Sequence, residues 1–231
     1  MTSITATLIE IFQLGSEIAG ALDLPRKYWP KPGQYLPCQR VDHSLTDRPT
    51  HLFRVVGPSD VLNLAPIPKA WSPGDRLVCA PPQGHGYALP RSVQRVGLIP
   101  FKVSPARLLS LASTALSQPA AVSLFYEAPL LGGWLEWVPS QVEILSLTSL
   151  RENLDWPDYL AVDLDRSDIT EFLDRINIHD LHCDGQVLVR TDMPCRGLGE
   201  CGVCGVHTPR GWRYACEDGP VFPLKEVLHV A

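Results

Sequence analysis

The sequence predicts a small antiparallel β-barrel followed by a parallel-sheet α/β domain, with a compact cysteine-rich module at the carboxyl end. Three observations lead there. Short strand-like runs broken by Pro and Gly occupy residues 1–91, apolar strands alternate with helix over 92–184, and four of the seven cysteines gather between positions 195 and 216, in the stretch 185–231.

Barrel strands are expected at 4–14, 19–24, 34–41, 51–56, 61–67 and 76–79. Between them stand Trp29-Pro30-Lys31-Pro32-Gly33, Gly57-Pro58 and Ser72-Pro73-Gly74. Proline withholds a ladder donor and glycine accepts positive φ, so such runs end strands and reverse the chain.

In the second region, strands are expected at 93–99, 122–126, 142–147 and 159–164, with helices at 105–116 and 168–176. Pro105 opens the first helix where a missing N–H costs nothing, and Leu108, Leu109, Leu111, Ala112 and Leu116 give it an apolar face. Past Gln186, Val187-Leu188-Val189 reads as a strand leading into the cysteine loop, and Val221-Phe222-Pro223 leads into a short helical piece.

Bulk properties narrow the function classes. With 231 residues, 45% hydrophobic and 19% charged, the chain can bury a sizeable core. A net charge of -5 with both signs interleaved offers no basic stripe for nucleic acid. No apolar run is long enough to cross a bilayer and Met1-Thr2-Ser3 does not open a signal peptide, so a cytoplasmic protein is expected. Cys38, Cys79 and Cys183 stand apart in apolar surroundings and read as small buried hydrophobes without a role.

The other four cysteines carry chemistry. Five residues separate Cys195 from Cys201, two separate Cys201 from Cys204 and eleven separate Cys204 from Cys216, one residue from the plant-type ferredoxin pattern. Thiolates suit a polarizable iron-sulfur core, and Gly197, Gly199, Gly202 and Gly205 let the loop wrap closely and expose backbone N–H groups to cluster sulfur. A 2Fe-2S cluster on Cys195, Cys201, Cys204 and Cys216 is the expectation. A four-cysteine zinc site is the alternative, because the Cys201–Cys204 spacing also occurs in zinc knuckles. His207 lies between the third and fourth cysteines as a loop residue.

The run Cys195-Arg-Gly-Leu-Gly-Glu-Cys201-Gly-Val-Cys204, followed by Cys216-Glu-Asp-Gly-Pro-Val-Phe222, resembles the carboxyl-terminal module of dihydroorotate dehydrogenase electron-transfer subunits, members of the ferredoxin reductase superfamily. The resemblance implies a ferredoxin reductase-like barrel that binds FAD, a Rossmann-like nucleotide domain and a 2Fe-2S module. Pro32-Gly33-Gln34-Tyr35 is similar to the family's Pro-Gly-Gln-aromatic turn. Arg48-Pro49-Thr50-His51 is similar to its Arg-Pro-apolar-Ser flavin motif, with His51 in place of the hydroxyl residue, and Pro82-Gln83-Gly84-His85-Gly86-Tyr87 to a turn that approaches the flavin phosphates. Arg48, Pro49, Thr50, His51, Gly84, His85, Gly86 and Tyr87 are therefore the expected flavin contacts.

Two departures point away from NAD(P)H. Where the family has a Gly-rich turn, this chain reads Gly97-Leu98-Ile99-Pro100-Phe101-Lys102-Val103-Ser104-Pro105, whose bulk and missing donor oppose a pyrophosphate. The family's Cys-Gly-Pro loop is absent from 159–168, and Lys102 and Ser104 read as surface residues. An electron-transfer subunit of a hetero-oligomer is expected, relaying electrons between FAD and a catalytic oxidoreductase subunit. The resemblance implies a dihydroorotate dehydrogenase-like partner and pyrimidine biosynthesis, while hydrogenase and sulfide dehydrogenase subunits share the architecture. The rival is a non-redox interaction protein with a structural zinc module. The relay requires the loop 194–204 to be partly exposed.

Overall fold

A computed structural model of the chain describes residues 3–42, 48–57, 61–127, 134–153, 155–176, 182–195 and 199–227. Six strands, β1 (Ile4–Leu14), β2 (Glu17–Asp23), β3 (Tyr35–Arg40), β4 (Thr50–Arg54), β5 (Leu62–Ala65) and β6 (Arg76–Cys79), close a barrel in the order β1-β2-β5-β4-β3-β6. Closure leaves no unpaired edge, and β6 seals the ring by pairing Ile4 with Cys79. Leu8, Leu22, Leu36, Leu52, Leu64 and Leu77 fill the interior, each buried side chain stabilising by roughly 1.5–3 kcal/mol.

Cys38 and Cys79 are not the isolated hydrophobes that the sequence suggests: they are joined in a disulfide between β3 and β6. The two residues are register partners with Cα atoms 4.1 Å apart, a proximity hidden by a sequence separation of 41. Such bonds persist chiefly in oxidising compartments, so this one lends nothing to a cytoplasmic placement. Cys183 is a free, half-buried thiol.

The second sheet runs β14-β11-β10-β7-β8-β9, built from β7 (Arg95–Pro100), β8 (Ala121–Tyr126), β9 (Val142–Ser146), β10 (Tyr159–Asp165), β11 (Asp184–Arg190) and β14 (Val221–Pro223). All are parallel except β14, which lies antiparallel on β11. Helix α1 (Ala106–Leu116) buries its Leu108, Leu109 and Leu111 face, and the shorter α2 (Ile169–Arg175) buries Phe172, which meets Phe101 edge-on. Between β11 and β14 the chain makes a two-stranded hairpin, β12 (Gly205–Thr208) and β13 (Gly211–Tyr214), and it continues past β14 into α3 (Leu224–Val227). Among the described residues no helix is long and apolar enough to cross a membrane.

A buried ionic network pins the barrel to the sheet. Arg107 of α1, with 2% of its side chain exposed, places Nε 3.0 Å from Asp163 Oδ2 on β10 and donates through both terminal nitrogens to Glu17 on β2, each at 2.6 Å. Arg190 at the end of β11 adds contacts to Glu17, Asp163 and Asp165 at 2.9–3.2 Å. Tyr87 donates its hydroxyl to the Val162 carbonyl at 2.6 Å across the same seam.

Candidate iron-sulfur and flavin site

The hairpin explains how distant cysteines meet. Cys204 stands just before β12 and Cys216 two residues after β13, so the ladder that pairs Gly205 with Tyr214 brings their sulfurs to 3.3 Å. Cys195, on the turn after β11, lies 4.0 Å from Cys216. Cys204 and Cys216 are buried and Cys195 half-buried, while Cys201 is exposed on the same turn. Gly199 and Gly202 take φ of +70 and +68°, a left-handed backbone that side chains oppose. Arg166 donates to the carbonyls of Val203 and Gly205 and holds the turn. The described part of 194–204 is partly exposed, with 196–198 outside the described residues.

Burial, followed by the hydrogen bond with Cys204, pushes the Cys216 thiol up to about 12. A metal reverses that cost, since a coordinating thiol gives up its proton to the ion's charge. Among the described residues no three such side chains form a ready single-ion cage, although three sulfurs lie in succession at 3.3 and 4.0 Å. The set fits an iron-sulfur group: three thiols, a fourth on the same turn and the Gly199 backbone N–H already turned to the Cys216 sulfur.

The turn carrying Gly84, His85, Gly86 and Tyr87 grips this module. His85 N–H donates to Gly219 O at 2.6 Å, its ring Nδ1 lies 2.8 Å from Asp218 O, and a Cβ on Gly84 would stand 2.5 Å from Pro220 Cδ. These four residues line no part of the large cleft. That cleft, a cavity of about 720 Å³, lies between the barrel and the carboxyl ends of β10 and β11, where ligands of open α/β sheets bind. Arg48, Pro49, Thr50, His51 and Phe53 wall it on one side and Arg107, Asp165, Arg166 and Arg190 on the other. Arg107 and Arg190 are already paired with Glu17, Asp163 and Asp165, so the guanidiniums of Arg48 and Arg166 are the ones that suit an anionic, diphosphate-bearing ligand such as FAD.

His51 Nε2 is buried without a partner. Burial, opposed by Asp192, lowers the imidazole to about 4, so it stands neutral. Its ring meets Tyr35 edge-on at 4.9 Å, and Tyr35 shares one packed core with Cys204 and Cys216. Because unfolded His51 takes a proton near pH 6.5 and folded His51 only near 4, its contribution is complete above pH 6.5 and is lost as pH falls toward 4. We expect the native chain to lose about 3 kcal/mol more than a His51→Gln chain over that window. Urea midpoints at pH 7 and pH 4 check this, and equal losses would contradict it.

The turn at 99–105 is filled from within the chain. Phe101 is fully buried and donates its N–H to Asp163 O, while Gly15 of the β1–β2 turn lies against Trp134 and Ser104. Ser104 is buried rather than at the surface, and Lys102 pairs with Asp168 and Glu171 at the rim. The stretch 159–165 is strand β10, with no loop there.

Sequence reasoning missed Arg107 and Tyr35. Arg107 left one trace, a lone charge in the apolar run 105–112. For Tyr35 the motif around it gave a turn but not the direction of its hydroxyl.

The architecture is that of ferredoxin reductases. A structure of an NADH-dependent reduced ferredoxin-NADP oxidoreductase, solved in connection with flavin-based electron bifurcation, superposes with a TM-score of 0.72 at 14% identity, covering 95% of this chain and 88% of that one. The ferredoxin reductase of carbazole 1,9a-dioxygenase gives 0.58 at 14% identity over 80% and 69% of the two chains. Plasmodium falciparum ferredoxin-NADP+ reductase gives 0.56 at 9% identity over 78% and 91%.

Within that fold, residues 191–228 match the sequence model of the iron-sulfur cluster binding domain of dihydroorotate dehydrogenase B. Sulfhydrogenase 1 subunit gamma of Pyrococcus furiosus is 43% identical over 42 residues, which are 18% of this chain and 14% of that subunit's length.

Proposed function

We propose that the chain is an electron-transfer subunit that carries FAD in the barrel–sheet cleft and a 2Fe-2S cluster on Cys195, Cys201, Cys204 and Cys216, and passes single electrons between the flavin and a catalytic oxidoreductase subunit. The observation that carries this reading is the adjacency of the two sites: His51 and Phe53 wall the cleft, Tyr35 packs on both, and the Tyr35 ring and the Gly219–Pro220 turn after Cys216 close on the same point at Gly84. When bound, the flavin interconverts two-electron and one-electron chemistry and the cluster carries one electron at a time.

The chain's own residues bind, orient and exclude water. Arg48 and Arg166 reach the cleft with charge for a diphosphate, while His51 presents a neutral nitrogen to its wall. Buried Cys204 and Cys216 keep solvent from one side of the sulfurs, and exposed Cys201 leaves the other side open to a partner. Beside it, Val203 and Trp212 are 43% and 64% exposed, apolar surface suited to contact with that subunit. Phe101, Val103 and Trp134, all buried around the filled 99–105 turn, support a chain that does not take NAD(P)H in the usual way.

A dihydroorotate dehydrogenase-like partner, with a place in pyrimidine biosynthesis, is one form of this proposal, and a hydrogenase-type catalytic subunit is the other. The test is an anaerobic absorption spectrum of the purified full chain, with iron, sulfide, zinc and flavin quantified together. Broad visible bands with about two iron and two sulfide per chain, and released FAD, are expected. Zinc alone, in colourless protein without flavin, would instead identify a structural clip.

A further inference from the structure

Tyr35 is fully buried at the start of β3, and its hydroxyl is without a hydrogen-bond partner. Buried hydroxyls are nearly always bonded, and leaving one unpaired costs about 1–3 kcal/mol. An acceptor belongs there.

The surroundings say which kind. Tyr35 does not line the large cleft, although its neighbours His51 and Phe53 do. Its other side faces the cysteine module: a Cβ placed on Gly84 would lie 2.9 Å from Tyr35 Cε1 and also 2.5 Å from Pro220 Cδ and 2.9 Å from Gly219 O, so ring and post-Cys216 turn touch the same point. Besides its burial, the groups that act on the phenol include the thiols of Cys216, Cys204 and Cys195, which places the cysteine module on that side of the ring. The strand backbone around it is already paired, Tyr35 N–H to Gln83 O and Gln83 N–H to Tyr35 O.

We propose that the Tyr35 hydroxyl donates a hydrogen bond to a sulfur of the cysteine-held iron-sulfur group and thereby raises its reduction potential, an inference that rests on the iron-sulfur reading above. Reduction adds one electron and no proton. Tyr35 keeps its proton throughout, and its O–H dipole interacts more strongly with sulfur once the added negative charge is present. The reduced form therefore gains more from the bond than the oxidised form does. Tyr35 is a tuning residue and takes no part in bond making or breaking.

The experiment is a dithionite titration of the full holoprotein, native and Tyr35→Phe, following cluster and flavin signals separately after iron and sulfide are quantified. We expect Tyr35→Phe to keep its iron and to shift the reduced-to-oxidised ratio of the cluster about tenfold toward oxidised at a fixed potential, which is about 59 mV for one electron, with the flavin midpoint unmoved. An unchanged cluster midpoint, or a shift confined to the flavin, overturns the inference while leaving the electron-transfer reading intact. Should Tyr35→Phe lose its iron, 3-fluorotyrosine placed at position 35 keeps the shape and strengthens the donor; it must raise the cluster midpoint, and a midpoint that stays put overturns the inference. Native protein without iron would bring down the underlying reading first, and that outcome is visible before any titration.

Discussion

Replacing Arg107 with methionine is expected to destabilise the chain by about 3–5 kcal/mol, the cost of stripping one partner from a buried ion pair. Asp163 is fully buried, and its contact with Arg107 Nε would vanish. Arg190 would remain 3.2 Å from the other carboxylate oxygen and would have to serve Glu17 and Asp165 as well. Glu17 would lose its two-pronged contact, leaving Arg190 to tie β2 to the α/β domain. Pairing Arg107→Met with Asp163→Leu is expected to recover most of the loss, because the penalty lies in the unpaired charge more than in the missing attraction. Denaturant midpoints of the single and double variants check this; a double variant as unstable as Arg107→Met would contradict it.

The second large effect is expected at Cys204. Its sulfur is buried 3.3 Å from that of Cys216, so Cys204→Ser leaves a harder, poorer donor where no solvent can substitute. Iron and sulfide should fall from about two each per chain to near none, and thermal stability should fall with them, since ligand binding to the native state adds directly to its stability. Cys183→Ser, at a thiol outside the module, should keep the full complement. Metal content and melting temperature of both variants decide it, and a Cys204→Ser chain that retains its iron would remove Cys204 from the ligand set.

Much of this was legible in the residues. Residues 76–79 carry the strand the sequence predicts, the other barrel strands fall within a few residues of expectation, and the helix after Pro105 runs as its apolar face predicts, because alternating burial and breaker residues are local signals. The cysteine spacing pointed to its chemistry because ligand spacing is also local. What could not be read depends on register. The disulfide needs Cys38 opposite Cys79 on neighbouring strands, and the clamp of His85 on Gly219 joins segments more than a hundred residues apart. Arg107, Glu17, Asp163 and Arg190 come from four elements, and no single window of sequence contains the network they form.

Strand β14 has a consequence for anyone wishing to move this centre into another protein. It lies next to β11 in the main sheet, so the cysteine hairpin is an excursion between adjacent strands and not a tail. Transplanting it is therefore a matter of grafting a loop onto two anchored ends, near residues 190 and 221, which any recipient sheet would have to offer in antiparallel register. The same arrangement would let the donor shed or exchange the hairpin while keeping its sheet intact, so that redox capacity could be gained or lost by a single insertion.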